Sequence, residues 1–194
     1  AAKTQLAERQ QTVDFLGWVL SSPDPMVMGP DAPLRDMLAR ADQRIATKFE
    51  TQPALRAELR QTLGKIHQSL GEDAKAAAHL EAALLSLRED GGDTLRLATV
   101  AGDLAALLAE SSDRKFDLFR EAIELAEAQL GPEHASVVER RCELARALIV
   151  GGEVDAARAL IAQAGAAVEA TNDPASRFHW LRTRARLHLH DARW

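Results

Sequence analysis

Six histidines and one cysteine are the side chains of this chain best suited to metal binding or nucleophilic chemistry, and among the histidines only His179, His188 and His190 cluster. On a helix, His188 and His190 point about 200° apart, and His179 and His188 about 180° apart. Helical zinc-binding pairs use spacings of three or four residues on one face, so neither a metal site nor a cofactor is expected there. Cys142 has no local His and no Gly-rich turn to present it as a nucleophile. Being the single cysteine, it also excludes an intramolecular disulfide. The acidic pairs Glu72-Asp73 and Glu89-Asp90 fall at turns and helix ends, where water solvates both carboxylates and acid–base catalysis gains no purchase. The Gly-Gly pairs read as helix stops, since none begins a strand–loop–helix phosphate cradle. Catalysis is therefore not expected, and recognition is what remains. Arg182 and Arg186, four apart on one helix face, suit either an acidic peptide or phosphate or a simply solvated face, and Trp18 and Trp180 suit either a partner anchor or the core.

The elements that hold these residues follow from composition. Hydrophobic residues make up 46% of the 194, with five Phe, three Trp and no Tyr. Ala and Leu dominate, and small side chains let helices approach closely, which favours packed helices over sheets in one extended folding unit. A net charge of −5 spread along the chain gives no general attraction for nucleic acid or an acidic membrane surface. The exception is local: Arg177, Arg182, Arg184, Arg186 and Arg193 face a single acid, Asp191. No stretch approaches the roughly 18 consecutive apolar residues of a membrane span, and Ala1 to Gln11 lacks a signal-peptide core. A start without Met and an end at Trp194 inside a helix turn are expected of a piece of a longer protein.

Helical periodicity recurs between short stops, and no segment shows the strict alternation of a half-buried strand. It predicts helices over 5–22, 33–49, 53–70, 73–89, 94–110, 113–130, 134–150, 153–170 and 174–192. The punctuation is physical: Ser21 to Pro25 cannot continue a helix, Gly71, Gly91-Gly92, Gly131-Pro132 and Gly151-Gly152 end others, and Asn172-Asp173-Pro174 starts the last.

An internal repeat runs through them. Leu63-Gly64, His67, Gly71, Ala76, Leu80 and Ala83 are matched at the same offsets by Leu144-Ala145, Leu148, Gly152, Ala157, Ile161 and Ala164. Leu104-Ala105 and Leu108 supply a middle copy, whose second helix (Phe116, Phe119, Ala122, Ile123) falls into phase only if two residues are removed near Ser111 and Ser112. A fourth copy opens at Trp180 with Ala185 as its small residue, and leaves an apolar face of the last helix without its pair. The period is about 40 residues against the usual 34 of tetratricopeptide repeats, which the pattern of small and large residues resembles, in the longer form of kinesin-light-chain-like arrays. That resemblance implies an all-α, right-handed α-α superhelix, a tetratricopeptide-repeat solenoid of about nine helices with a non-repeat N-terminal helical pair. Its parts would be a lead-in or cap over 1–52 and repeats over 53–92, 93–132, 133–172 and, in part, 173–194. His67 and His188 would occupy the half-buried position usually held by Tyr.

Before the repeats stand Val13-Asp14-Phe15-Leu16, Ser21-Ser22-Pro23-Asp24-Pro25, Arg35-Asp36-Met37-Leu38, Ala41-Asp42, Arg44-Ile45, Gln52-Pro53 and Arg56-Ala57. This string resembles the helical lead-in of the sensor region of bacterial transmembrane serine/threonine kinases, and the likeness covers roughly residues 11–171. It implies a periplasmic, non-catalytic domain that binds a protein or peptide signal, reaches the membrane only through an upstream helix, needs no cofactor or nucleic acid, and leaves homodimerisation open. The Gly-rich loop, His-Arg-Asp and Asp-Phe-Gly motifs of a kinase are absent from the sequence. The alternative is a cytoplasmic scaffold or regulator module recruiting a protein partner. In such arrays the first helix of each repeat lines the concave face. The corresponding offsets give a groove of Gln61, Lys65 and Gln68, then Thr99, Asp103 and Ala106, then Glu139, Cys142 and Arg146, and finally Arg182, Arg186 and His190, without the Lys/Arg/Asn clamp of chaperone-binding relatives.

Overall fold

Proline, glycine and side-chain caps set the helix boundaries. A computed structural model describes residues 32–49, 51–109 and 112–192; the expected helix over 5–22, with Trp18, and the terminal Arg193 and Trp194 lie outside them. Among the described residues the chain is all-helical: α1 (Ala32–Lys48), α2 (Pro53–Ser69), α3 (Asp73–Asp90), α4 (Thr94–Leu107), α5 (Asp113–Leu130), α6 (Ala135–Gly151), α7 (Val154–Thr171) and α8 (Pro174–Asp191). Asp93 and Asp173 cap α4 and α8 by accepting the backbone N–H of Arg96 and Ser176, at 2.9 and 2.7 Å. Asn172 ends α7 at φ 53, in the left-handed region that asparagine tolerates better than most residues. No described helix is long and apolar enough to cross a membrane.

The chain divides into two compact units, Ala1–Gly92 and Asp93–Trp194. In the first, α2 and α3 form a tight hairpin around Gly71, whose φ of 72 lets the Glu72 N–H reach back to the His67 carbonyl at 2.9 Å. Gly64 is required where the helices touch: a Cβ there would lie 3.0 Å from Leu80 and 3.3 Å from the Ala76 carbonyl. Leu38, Ala41 and Ile45 of α1 complete the core against Leu55, Leu59 and Leu63.

In the second unit α4 packs on α5, α5 on α6, α6 on α7, and α8 on both α6 and α7. Ala105, Ala122, Ala145, Ala157 and Ala164 are all fully buried, so small residues sit at the helix contacts. Gly165 does the same for an aromatic: it makes room for Trp180, whose indole N–H donates to the Ile161 carbonyl at 3.0 Å. The opposite face of α8 carries Phe178, Leu181 and Leu189, 60, 48 and 62% exposed, and Ala185 beside them is exposed too.

Two expectations need correction. Helix α4 stops at Leu107 rather than at 110, because Leu108 turns to an extended backbone at ψ 154 and its carbonyl accepts a hydrogen bond from Lys115 Nζ at 3.1 Å. His67 is buried, but His188 is exposed, so the two do not share an environment.

Candidate functional site

Helix α6 alternates between charges that are spent on the fold and charges that are not. Arg140 lies between Asp103 of α4, at 2.6 Å, and Glu143 of its own helix, at 2.7 Å. Burial opposes its charge, but the two carboxylates outweigh burial and raise the guanidinium pKa above its ordinary value. Its side chain crosses directly over Gly102, where an added Cβ would fall 2.5 Å from Nε. Arg141 is spent in the same way, donating to the Pro132 carbonyl at 3.0 Å and to Glu127 at 2.9 Å across the α5–α6 turn.

Arg146 has no such arrangement. Its nearest carboxylate, Glu143, stands 4.0 Å away, and its buried Nη1 makes no hydrogen bond. Burial first, and repulsion from Arg182 second, pull its pKa below the ordinary value, with Arg186 adding to the repulsion. Arg146 opens on a hollow of about 160 Å³ shared with Lys115 and Phe119 of α5, Glu143 of α6, Ala106 of α4 and Arg186 of α8. Three cations thus border the hollow against one carboxylate that Arg140 already holds.

The expected groove residues can now be placed. Ala106, Arg146 and Arg186 meet at this hollow. Thr99 and Glu139 line a second, more apolar one of about 350 Å³, with Leu95, Leu130 and Arg140. Asp103 is committed to Arg140, Arg182 lies over the Phe178 ring at 5.7 Å, and His190 is half-buried with Nδ1 3.8 Å from Asp191. Cys142 is the exception: it is fully buried with Val138, Ala164 and Val168, and burial raises its thiol pKa, so it belongs to the core and presents neither a nucleophile nor a groove contact. In the first unit Gln61 is buried on α2, while Lys65 and Gln68 are exposed.

Sequence offsets miss Lys115 and the dual role of Glu143. Lys115 comes from the second helix of its pair, across the irregular turn after Leu108, and no spacing in the sequence signals that it is buried. Among the described residues no group of three His, Cys, Asp or Glu side chains is arranged to hold a metal ion.

The first unit has a charged hollow of its own, of about 330 Å³, lined by Asp42, Arg60, His67, Glu72, Lys75 and His79. His67 and His79 stack with ring centroids 5.1 Å apart. Arg60 pairs with Asp42 and lies 3.2 Å from His79 Nδ1, while His67 and Lys75 reach Glu72 at 2.7 and 3.1 Å. No protein-family model matches the chain, and a search of curated proteins finds no match either.

Proposed function

We propose that this chain is a tetratricopeptide-type helical module that holds a protein or peptide on the face of its second unit built from α4, α6 and α8. The single observation that carries this reading is the hollow where Ala106, Arg146 and Arg186, one residue from each of those helices, come together although they are distant in sequence. The repeat reading is supported by the buried small residues at matching offsets, Gly64, Ala76 and Ala83 in one pair and Ala145, Ala157 and Ala164 in another. Resemblance of the lead-in adds the rest of the proposal: a non-catalytic sensor region of a bacterial membrane-bound serine/threonine kinase, on the periplasmic side, with a cytoplasmic scaffold or regulator module as the alternative. The charge surplus fits either setting, since both need a surface with unmet bonding capacity.

Selection from a random-peptide display library against the immobilised chain tests the reading, followed by amide chemical-shift mapping of the enriched peptides. The expected result is perturbation concentrated on α4, α6 and α8. Enriched peptides that perturb only other helices, or no enrichment, would remove the assignment of this face.

A further inference from the structure

We infer that the hollow between α4, α5, α6 and α8 is an anion subsite, taking one carboxylate or phosphate group of the bound ligand between Arg146 and Arg186. This rests on the peptide-binding reading above only for the identity of what carries the anion; the subsite itself stands on the geometry.

A buried guanidinium nitrogen without a partner is costly, because it has lost water and gained no hydrogen bond in exchange. Arg146 Nη1 is in that position. The cost is compounded by like charge: Arg182 and Arg186 both act on Arg146 to weaken its hold on the proton. Arg186 is exposed and forms no ion pair with any described residue, so its charge is at hand as well. Lys115 contributes a third positive charge from a buried position, fixed by its bond to the Leu108 carbonyl at 3.1 Å. An ammonium fixed in this way contributes field without having to move, which is how preorganised sites favour a charged ligand. The one local carboxylate, Glu143, is drawn to Arg140 at 2.7 Å and stands 4.0 Å from Arg146. Among the described residues lining the hollow, each element contributes a cation or an apolar wall (Ala106, Phe119, Ala147, Val150), and the acidic side chain among them is Glu143.

The volume of about 160 Å³ has room for a group of carboxylate or phosphate size. Apolar walls sharpen the preference, since lowered water access strengthens a charge-assisted bond from a planar, bidentate guanidinium. Arg146 supplies the partly buried donor and Arg186 the exposed one, so the anion would enter from the open side and displace little ordered structure. The chemistry is shared by a phosphorylated side chain and by an acidic side chain or C-terminal carboxylate. The two guanidinium groups of Arg146 and Arg186 favour the dianion, which can accept from both.

The test is titration of the whole chain with inorganic phosphate, with acetate and with sodium chloride at matched ionic strength, read on the arginine Nε–Hε resonances and on the backbone amides around the hollow. Saturable shifts of Arg146 and Arg186 with phosphate or acetate, absent with chloride, are expected. In Arg146→Gln/Arg186→Gln the affinity should fall at least about tenfold, the scale of losing charge-assisted bonds. Arg186→Gln alone changes an exposed residue and keeps the test valid if the double variant folds poorly; Arg120→Gln, on the exposed face of α5, should bind as the parent does. Tighter binding of phosphate than of acetate assigns the subsite to a phosphorylated ligand, and equal binding assigns it to a carboxylate. Shifts that track ionic strength alone, or backbone-amide shifts that saturate with the parent's affinity in Arg146→Gln/Arg186→Gln, overturn the inference. Display-selected peptides that bind α4, α6 and α8 with no acidic group would also overturn it while leaving the proposed function standing. Phosphate binding without any peptide ligand would do the reverse.

Discussion

The charged hollow of the first unit and that of the second are built from the same kinds of side chain, yet they balance charge in opposite ways. Beside α2 and α3, Arg60 meets Asp42 and a ring nitrogen of His79, and Glu72 receives both His67 and Lys75. Beside α6 and α8, Arg146 and Arg186 face Glu143, which Arg140 has already drawn in. Helix α6 contains both outcomes, with the pKa of Arg140 raised by its carboxylates and that of Arg146 lowered by burial and its neighbouring arginines. Charges matched inside the fold hold helices together, whereas charges left unmatched lower stability and are retained where a ligand completes them.

The largest effect should come from breaking a matched set. Arg140→Met leaves Asp103 and Glu143 facing each other with side chains only 19 and 17% exposed. Removing the cation between them should cost about 2–3 kcal/mol, below the range for fully buried pairs because some water reaches them. Urea denaturation measures this, and a loss under about 1 kcal/mol would mean that the α4–α6 ion pairs are not structural.

Gly102→Ala attacks the same contact sterically. The new Cβ would stand 2.5 Å from Arg140 Nε and 2.8 Å from Cδ, and Arg140 cannot swing aside without releasing Asp103 and Glu143. Overpacking of this kind should cost about 1–2 kcal/mol. Gly151→Ala on α6, whose nearest neighbour would be Phe116 at 3.5 Å, should stay within about 0.5 kcal/mol of the parent. Equal losses for the two variants would show that glycine-specific packing at Gly102 is not what matters.

The first unit should respond to pH instead. Burial chiefly lowers the His79 pKa below its ordinary 6.5; Asp42 opposes this, and Arg60, His67 and Lys75 add to it. The unfolded chain then takes up a proton below pH 6.5 more readily than the folded one, so stability present above that pH is lost as pH falls below it. Amide protection factors in α2 and α3, which divide out the intrinsic pH dependence of exchange, should fall on the acid side of pH 6.5, and His79→Gln should flatten the response. An unchanged profile in His79→Gln would place the sensitivity on another group.

Helix order is legible in the sequence because its punctuation is local: Pro53 opens α2, Gly71 and Gly131 close turns, and Asp173-Pro174 caps and starts α8. The early end of α4 is not legible, since it depends on a bond from Lys115 to the Leu108 carbonyl, seven residues apart across a turn. Repeat offsets put Arg146 and Arg186 at equivalent positions of their two helices, and both border the same hollow. They misplace Cys142, because a small side chain beside Val138 gains more from the α6–α7 core than from water. Whether a charge has a partner escapes sequence altogether: Arg140 and Arg146 lie on one helix, and only the neighbours brought by α4 and α8 separate them.

The most direct measurement is urea denaturation of Arg146→Gln/Arg186→Gln beside the parent, with and without inorganic phosphate. If the unmatched arginines serve a ligand, the variant without phosphate unfolds at a urea concentration no lower than the parent's, and added phosphate raises the parent's midpoint more than the variant's. A variant that is less stable without phosphate, with both midpoints rising equally when it is added, would mean that these arginines hold the fold and contradict the account.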